Sequence, residues 1–132
     1  MMGPSMHKFK NAVSWFEIPA KDIKRARAFY EAIFDTTLQE MTLANNLKMA
    51  LFPTDDGTVG GAVVEFHDFY RPSHDGPLVY LNGDPDLQKV LDRLKAKNAR
   101  IIVPKTQISP DFGYMAVFED SEGNRVALHS KA

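Results

Sequence analysis

Two stretches of the chain carry apolar residues at helical spacing, each behind an aspartate. Counted from Asp22, the apolar positions fall at +1, +4, +7, +8 and +11, which is one face of a helix that should stop near residues 34–35. Counted from Asp86, they fall at +1, +4, +5 and +8, and residues 84–86 start this second helix with a proline in its first turn. The pattern therefore predicts two amphipathic helices, one in each half of the chain.

Two polar residues stand where these helices should end. They are Asp35 and Asn98, and both residue types tolerate the left-handed conformation that glycine usually supplies there. We expect a positive φ at one or both positions.

Alternation of apolar and polar residues, together with β-propensity, predicts eight strands around the two helices. The predicted strands are residues 11–18, 37–43, 47–52, 58–66, 78–82, 100–108, 113–119 and 124–130. Turn residues at 45–46 and 55–57 separate the strands of the first half. Each half therefore has the order strand, helix, strand, strand, strand.

An internal repeat supports this duplication. Residues 49–58 align without a gap on residues 115–124, with four of the ten positions identical, and the two copies lie 66 residues apart in a chain of 132. We therefore expect an α+β fold of two tandem βαβββ modules: residues 11–66, a polar linker at 67–76, and residues 77–130. Both modules belong to a single domain of residues 11–132, preceded by a flexible N-terminus at 1–10.

The composition excludes several functional classes. The formal net charge is −1, so there is no basic surplus for nucleic acid. The chain has no cysteine, which excludes disulfides, thiolate metal ligands and a cysteine nucleophile. No apolar run reaches membrane length and no signal-like segment follows the start, so we expect a cytoplasmic protein without a membrane partner.

Three segments, in this order on a duplicated βαβββ frame, resemble a known family. They are residues 16–19 with Asp22 and 25–30, the Gly-Gly-Ala run at 60–62, and the Phe-Glu-Asp-Ser-Glu-Gly-Asn-Arg run at 118–125. The chain resembles the vicinal oxygen chelate superfamily, which includes glyoxalase I, the bleomycin resistance proteins and extradiol dioxygenases. It is most similar to a glyoxalase-related branch, and it departs from the family's usual glycine at Asp35.

The resemblance implies a definite architecture. The sheets of the two modules curl around a shared cleft, with the helices on the convex side. In metal-using members, four His, Gln or Glu side chains from the first and last strands of each module hold a divalent metal, which stabilises an enediolate-like intermediate. Members commonly pair their sheet edges, so the resemblance also implies a homodimer.

The four positions that the resemblance assigns to metal ligands carry no suitable side chain. Counted from the capping aspartates and from the turn glycine, they are Trp15, Gly61, Val79 and Ala127. A gap in the turn would instead bring Glu65 to the site. We therefore expect no metal and no other cofactor, with a divalent metal at shifted positions such as Glu65 and His129 as the alternative. A metal clip at His67 and His74 of the linker is a weaker hypothesis.

Strand alternation predicts which side chains line the cleft. The cleft residues should be Trp15, Glu17, Gly61, Val79, Leu81, Arg125, Ala127 and His129, and Tyr80 should face the helices. Glu17 and His129 are the candidate catalytic bases, and Arg125 suits a carboxylate or phosphate. The alternatives are a solvated Arg125, an exposed His129, a structural ion pair at Glu17 and plain packing of Trp15.

Three functional hypotheses follow. The first is a metal-independent protein that binds a small organic molecule between its modules. The second is a glyoxalase-like lyase or isomerase that uses a side-chain base or a metal at shifted positions. The third is a non-catalytic interaction domain.

Phe69 and Tyr70 of the linker are expected to cover the cleft or to form a subunit contact.

Overall fold

The structure is a computed structural model and describes residues 6–132. The predicted flexible N-terminus falls partly on residues 1–5, which lie outside the described residues. The elements are β1 (Trp15–Pro19), α1 (Ile23–Phe34), β2 (Gln39–Thr42), β3 (Lys48–Leu51), β4 (Gly60–Glu65), β5 (Tyr80–Asn82), α2 (Gln88–Ala96), β6 (Ile101–Ser109), β7 (Gly113–Glu119) and β8 (Arg125–Ser130). The predicted order of elements is confirmed, although β1 begins four residues later than expected.

The strands form two four-stranded sheets with the same topology. Sheet A has the order β1-β4-β3-β2, and sheet B has the order β5-β8-β7-β6. In each sheet the first and last strands of the module pair in parallel, and the other neighbours pair antiparallel. The fold is therefore α+β with two tandem βαβββ modules, as the repeat indicated.

The helix ends agree with the sequence pattern. The Asp22 side chain caps α1 by accepting hydrogen bonds from the backbone N–H groups of Lys24 and Arg25. Asp35 and Asn98 both have positive φ, at 49° and 57°. Helix α2 begins at Gln88, whose N–H donates to the Asp86 carboxylate. Within residues 6–132, no helix has the length and apolar content needed to cross a membrane.

Both helices pack on the same side of the two sheets and share one hydrophobic core. Tyr30 and Ile33 of α1, Leu91 and Leu94 of α2, and Phe118 of β7 are all fully or almost fully buried in it. We call this side of each sheet the helix-packed face and the opposite side the helix-free face. A smaller cluster of Met49, Ala62 and Val64 lies on the helix-free face of sheet A.

Three residues predicted for the cleft lie instead on the helix-packed face. Leu81 is 7% exposed and belongs to the shared core, and Val79 packs against the same core. A side chain at Gly61 would overlap the ring of Phe16, which covers that position from the helix side. Tyr80, predicted to face the helices, is 50% exposed on the helix-free face. The predicted faces of Gly61, Val79, Leu81 and Tyr80 are therefore wrong.

These errors arise because corresponding segments of the two modules differ in length by one residue. Ala62 pairs with Leu51, and Ala127 pairs with Val117, the repeat partner of Leu51. Ala62, and not Gly61, is therefore the counterpart of Ala127, because the β3–β4 turn holds one residue more than the β7–β8 turn. A shift of one residue moves every side chain of a strand to the opposite face.

The first strands show the same effect. Glu17 pairs with Ala62, and Tyr80 pairs with Ala127, so Tyr80 is the counterpart of Glu17. The strand residues Glu17 and Tyr80 are 63 positions apart, whereas the aspartates Asp22 and Asp86 are 64 apart. Counting back from Asp86 therefore assigned Val79 and Leu81 to the helix-free face, although the side chain that lies on that face is Tyr80.

Candidate functional site

The helix-free faces carry two matching rows of side chains, one on each sheet. The row on sheet A consists of Glu17, Ala62 and Leu51, and the row on sheet B consists of Tyr80, Ala127 and Val117. In both rows an alanine lies between a side chain of the module's first strand and an apolar side chain. Trp15, which precedes Glu17 on the same face, is 44% exposed. Both alanines are fully buried, so the surface that this face exposes is the aromatic surface of Trp15 and Tyr80.

Glu17 is held by two aromatic donors. The Trp15 Nε1–H donates to Oε2 at 3.2 Å, and the Tyr70 hydroxyl donates to Oε1 at 2.5 Å. The hydrogen bond to Glu17, together with burial and the carboxylate charge, raises the pKa of Tyr70 to about 12. Among residues 6–132, no ion pair includes Glu17, so the ion-pair alternative is not what the structure shows.

The linker covers part of sheet A. Tyr70 packs against the cluster of Met49, Ala62 and Val64, while its neighbour Phe69 is 78% exposed. Tyr70 therefore covers the helix-free face, as expected from the linker sequence, and fixes the Glu17 carboxylate at the same time. No local pattern predicts this hydrogen bond, because 53 residues separate Glu17 from Tyr70.

Arg125 and His129 both lie at half-buried positions of β8. Arg125 donates from Nη2 to the carbonyl of Gly76 at 3.1 Å, while its buried Nε–H has no partner among the described residues. The Nε2 atom of His129 lies 2.5 Å from the carbonyl oxygen of Phe112. A carbonyl only accepts, so Nε2 carries the proton and Nδ1 is the basic nitrogen of the neutral ring.

A cavity of about 230 Å³ lies where the two modules meet. Residues 17–19 of β1 line one side, residues 124–126 at the start of β8 line another, and the linker and Val79 complete the lining. The structure therefore brings Glu17, Val79 and Arg125, predicted for the same site, to one cavity. His129 and Trp15 do not line this cavity.

The donor set does not fit the family's divalent metal site. The helix-free positions at the expected level are Trp15, Ala62 and Ala127, none of which is a metal ligand. Glu65, the alternative ligand, accepts the backbone N–H of Ile23 at 2.8 Å at the start of α1. In the part of the chain that the structure describes, no three His, Cys, Asp or Glu side chains gather around a common point.

The linker histidines do not form the weaker metal clip either. The Nε2 atom of His74 lies 2.6 Å from the Glu119 carboxylate at the end of β7, which ties the linker to sheet B. His67 adopts a positive φ of 43° at the end of β4.

Two of the three segments that carry the family resemblance, residues 16–30 and 118–125, meet in a buried joint between the modules. The Glu122 carboxylate accepts the backbone N–H groups of Lys21 and Asp22 and pairs with both Arg25 Nε, at 2.7 Å, and Nη2. The Asp120 carboxylate accepts the hydroxyl of buried Tyr30 at 2.7 Å.

Burial and these contacts shift the pKa values of two groups in the joint. Burial and the negative charge of Asp120 raise the pKa of Tyr30 well above its ordinary value. For Glu122, burial alone would raise the pKa, but the hydrogen bonds from Arg25, Asp22 and Ser121 outweigh it and lower the pKa. The joint is therefore built around an ionised Glu122.

Comparisons with known proteins agree with this architecture. The family model described as Glyoxalase/Bleomycin resistance protein/Dioxygenase superfamily matches residues 12–128. Among curated proteins, none matches the chain in sequence. The following solved structures share the fold at low identity.

UcmS2 is 21% identical with a TM-score of 0.67, over 94% of this chain and 100% of that one. TnmS3, an antibiotic binding protein from Streptomyces sp. CB03234, is 20% identical with a TM-score of 0.63, over 96% and 100%. An E144Q mutant of glyoxalase I from Zea mays is 14% identical with a TM-score of 0.69, over 90% of this chain and 45% of that one.

Proposed function

Because the chain belongs to the glyoxalase/bleomycin resistance protein/dioxygenase superfamily, we propose that it binds a small organic molecule with a planar apolar part, without a metal. The observation that carries the proposal is the aromatic surface on the helix-free faces. Trp15 and Tyr80 expose 44% and 50% of their surfaces there. Exposed aromatic surface suits stacking against a flat apolar ligand.

The polar groups of the site suit orientation of such a ligand. Glu17 is fixed by Trp15 and Tyr70, so it accepts a ligand's hydroxyl or amide donor from a defined direction. Arg125 engages only one carbonyl through its side chain and has further donors for a ligand's oxygen atoms. The similarity in fold to an antibiotic binding protein is consistent with a ligand-binding role.

Glu17 also supports a second candidate, a lyase or isomerase that works through a side-chain base. A carboxylate in a partly covered site accepts a proton next to a ligand carbonyl, and the Tyr70 hydroxyl holds the carboxylate in place. His129 is the weaker candidate because it lies outside the cavity that Glu17 and Arg125 line. Binding with turnover supports the enzyme, whereas binding without turnover supports the first proposal.

Fluorescence of the chain's single tryptophan, Trp15, tests the proposal directly. The full chain is titrated with bleomycin and with naphthoquinone- and anthraquinone-type aromatics, and each compound is then recovered and examined by mass spectrometry for turnover. We expect saturable quenching by at least one planar compound without any change in its mass. A chain whose tryptophan signal responds to none of these compounds contradicts the proposal.

A matched pair of variants locates the binding surface. Tyr80→Ala removes the exposed aromatic surface of sheet B, while Phe9→Ala makes a similar change at an exposed aromatic position outside the strands. We expect Tyr80→Ala to weaken binding at least tenfold and Phe9→Ala to leave it unchanged, with thermal unfolding confirming that both variants fold. Equal affinities for the two variants contradict binding on this face.

The exposed apolar side chains also support a homodimer. Met41, Ile108 and Phe112 are 38%, 46% and 70% exposed in the single chain, in addition to Trp15 and Tyr80. Covering such surface with a second copy is favourable by about 25 cal/mol per Å². Light scattering at micromolar concentration is expected to give twice the mass of one chain, and a monomer contradicts this.

A further inference from the structure

We propose that the cavity between the modules binds a free α-amino acid with a short aliphatic side chain, as a zwitterion. The proposal goes beyond the proposed function, because it assigns a second ligand to a cavity whose lining includes Glu17 but neither Trp15 nor Tyr80. Three observations carry it: two opposite charges that are not paired with each other, an apolar part of the lining, and a volume of about 230 Å³.

The charges on the cavity wall define the first requirement. Glu17 and Arg125 both line the cavity, yet no ion pair joins them within residues 6–132. Each Glu17 oxygen accepts one hydrogen bond and retains a further lone pair, while the Arg125 side chain uses one of its five donors. A ligand that carries a cationic donor and an anionic acceptor satisfies both groups, whereas a simple acid or a simple amine satisfies only one.

The remaining charges agree with a ligand of zero net charge. The cavity is lined by two arginines, Arg71 and Arg125, and two carboxylates, Glu17 and Asp75. Formal charges on the wall therefore cancel, so a ligand of zero net charge leaves the total charge of the site unchanged.

The apolar part of the lining sets the side chain. Pro19, Pro77 and Val79 contribute apolar surface to the cavity, whereas Ile18 and Val126 are each only 2% exposed and turn their side chains toward the core. At about 30 Å³ for each water-sized group, the cavity holds about seven or eight such groups. An amino acid of the size of valine matches this volume and presents its methyl groups to the three aliphatic side chains.

Three compounds that differ by one group test the proposal. They are L-valine, isovalerate, which lacks the ammonium group, and isobutylamine, which lacks the carboxylate. Each is titrated into the isotopically labelled full chain, and the methyl signals of Val79 are followed by NMR. We expect L-valine to shift these signals and to bind at least tenfold more tightly than either relative. Isovalerate or isobutylamine binding as well as L-valine, or no shift with L-valine up to its solubility limit, overturns the proposal.

Two charge-removing variants sharpen the result. Glu17→Gln is expected to abolish the preference for L-valine over isovalerate. Arg125→Gln is expected to abolish the preference for L-valine over isobutylamine. Arg100→Gln, at an exposed position outside the cavity lining, is the matched control and should behave as the unsubstituted chain. The experiment on the unsubstituted chain decides the question even where a variant fails to fold.

The same spectra separate this proposal from the proposed function. A planar aromatic on the helix-free face should shift the methyl signals of Ala62, Ala127 and Met115, which do not line the cavity. Loss of the valine response with an intact aromatic response overturns only the cavity proposal, and the reverse result overturns only the proposed function.

Discussion

The two copies of the internal repeat occupy similar turns but very different environments. The turn of the first module, residues 53–58, is exposed at every position. In the turn of the second module, Asp120, Glu122 and Asn124 are each only 5% exposed, because α1 and the end of β1 pack against them. A duplicated segment has therefore kept its backbone course and acquired a structural role in only one of its two positions.

The difference between the turns lies in side chains and not in backbone. Gly57 and Gly123 both adopt a positive φ, at 76° and 94°. Three polar residues of the second turn have different counterparts in the first turn. Asp120 corresponds to Thr54, Glu122 to Asp56 and Asn124 to Thr58. Asp120 is a charged acceptor where the first turn has neutral Thr54, and Glu122 is one methylene longer than Asp56. These two carboxylates accept hydrogen bonds from Tyr30 and Arg25 of α1 and so join the two modules.

The largest predicted difference in stability between the two turns concerns Glu122 and its counterpart Asp56. Glu122→Ala leaves two partly buried backbone N–H groups without an acceptor, while the half-exposed Arg25 returns to water, and should lower the free energy of unfolding by about 2–4 kcal/mol. Asp56→Ala, at the matching exposed position, should change it by less than about 0.5 kcal/mol. Urea unfolding measures both values. Similar losses at the two positions would show that the turns contribute equally to stability.

A second prediction concerns the hydroxyl that reaches the joint from α1. Tyr30→Phe removes one donor from the buried Asp120 carboxylate and should cost about 1–3 kcal/mol. Tyr80→Phe, at a half-exposed position, is the control and should cost less than about 0.5 kcal/mol. If Tyr30→Phe unfolds at the same urea concentration as the unsubstituted chain, the hydrogen bond does not stabilise the joint.

A third prediction follows from the lowered pKa of Glu122. A carboxyl group with a folded-state pKa below its unfolded value stabilises the fold above the unfolded pKa, about 4.3, and loses that contribution as the pH falls through the folded-state pKa. The stability difference between the unsubstituted chain and Glu122→Gln should therefore be largest near neutral pH and shrink below about pH 4. Urea unfolding across this range tests the sign, and a difference that grows on acidification contradicts an ionised Glu122 at the joint.

The smallest predicted difference concerns the two turn glycines. Gly57→Ala and Gly123→Ala each place a side chain in the left-handed region, with no other atom within 4 Å of the new Cβ. Each should cost about 1–2 kcal/mol, and the two costs should agree closely. A much larger cost at Gly123 would mean that the joint constrains the backbone as well as the side chains.

Side chains were assigned to the correct face of a sheet where the strand itself alternates apolar and polar residues. Phe16 and Ile18 of β1, and Val126 and Leu128 of β8, face the helices as expected, so Glu17 and Ala127 were assigned to the correct side. Faces were wrong where they were transferred by counting across a loop, as for Gly61 and Leu81. A single extra residue in a loop leaves the alternation of each strand intact but reverses the face that counting assigns.

The order of the elements, the duplication and the caps at Asp22, Asp35 and Asn98 could all be predicted from the amino-acid sequence. These properties follow from local periodicity and from the chemistry of single residues. The contacts that the sequence did not predict are those of Tyr70 with Glu17 and of Glu122 with α1. Each of these depends on residues more than 50 positions apart, and no local pattern records which distant partner a side chain meets when the two modules pack.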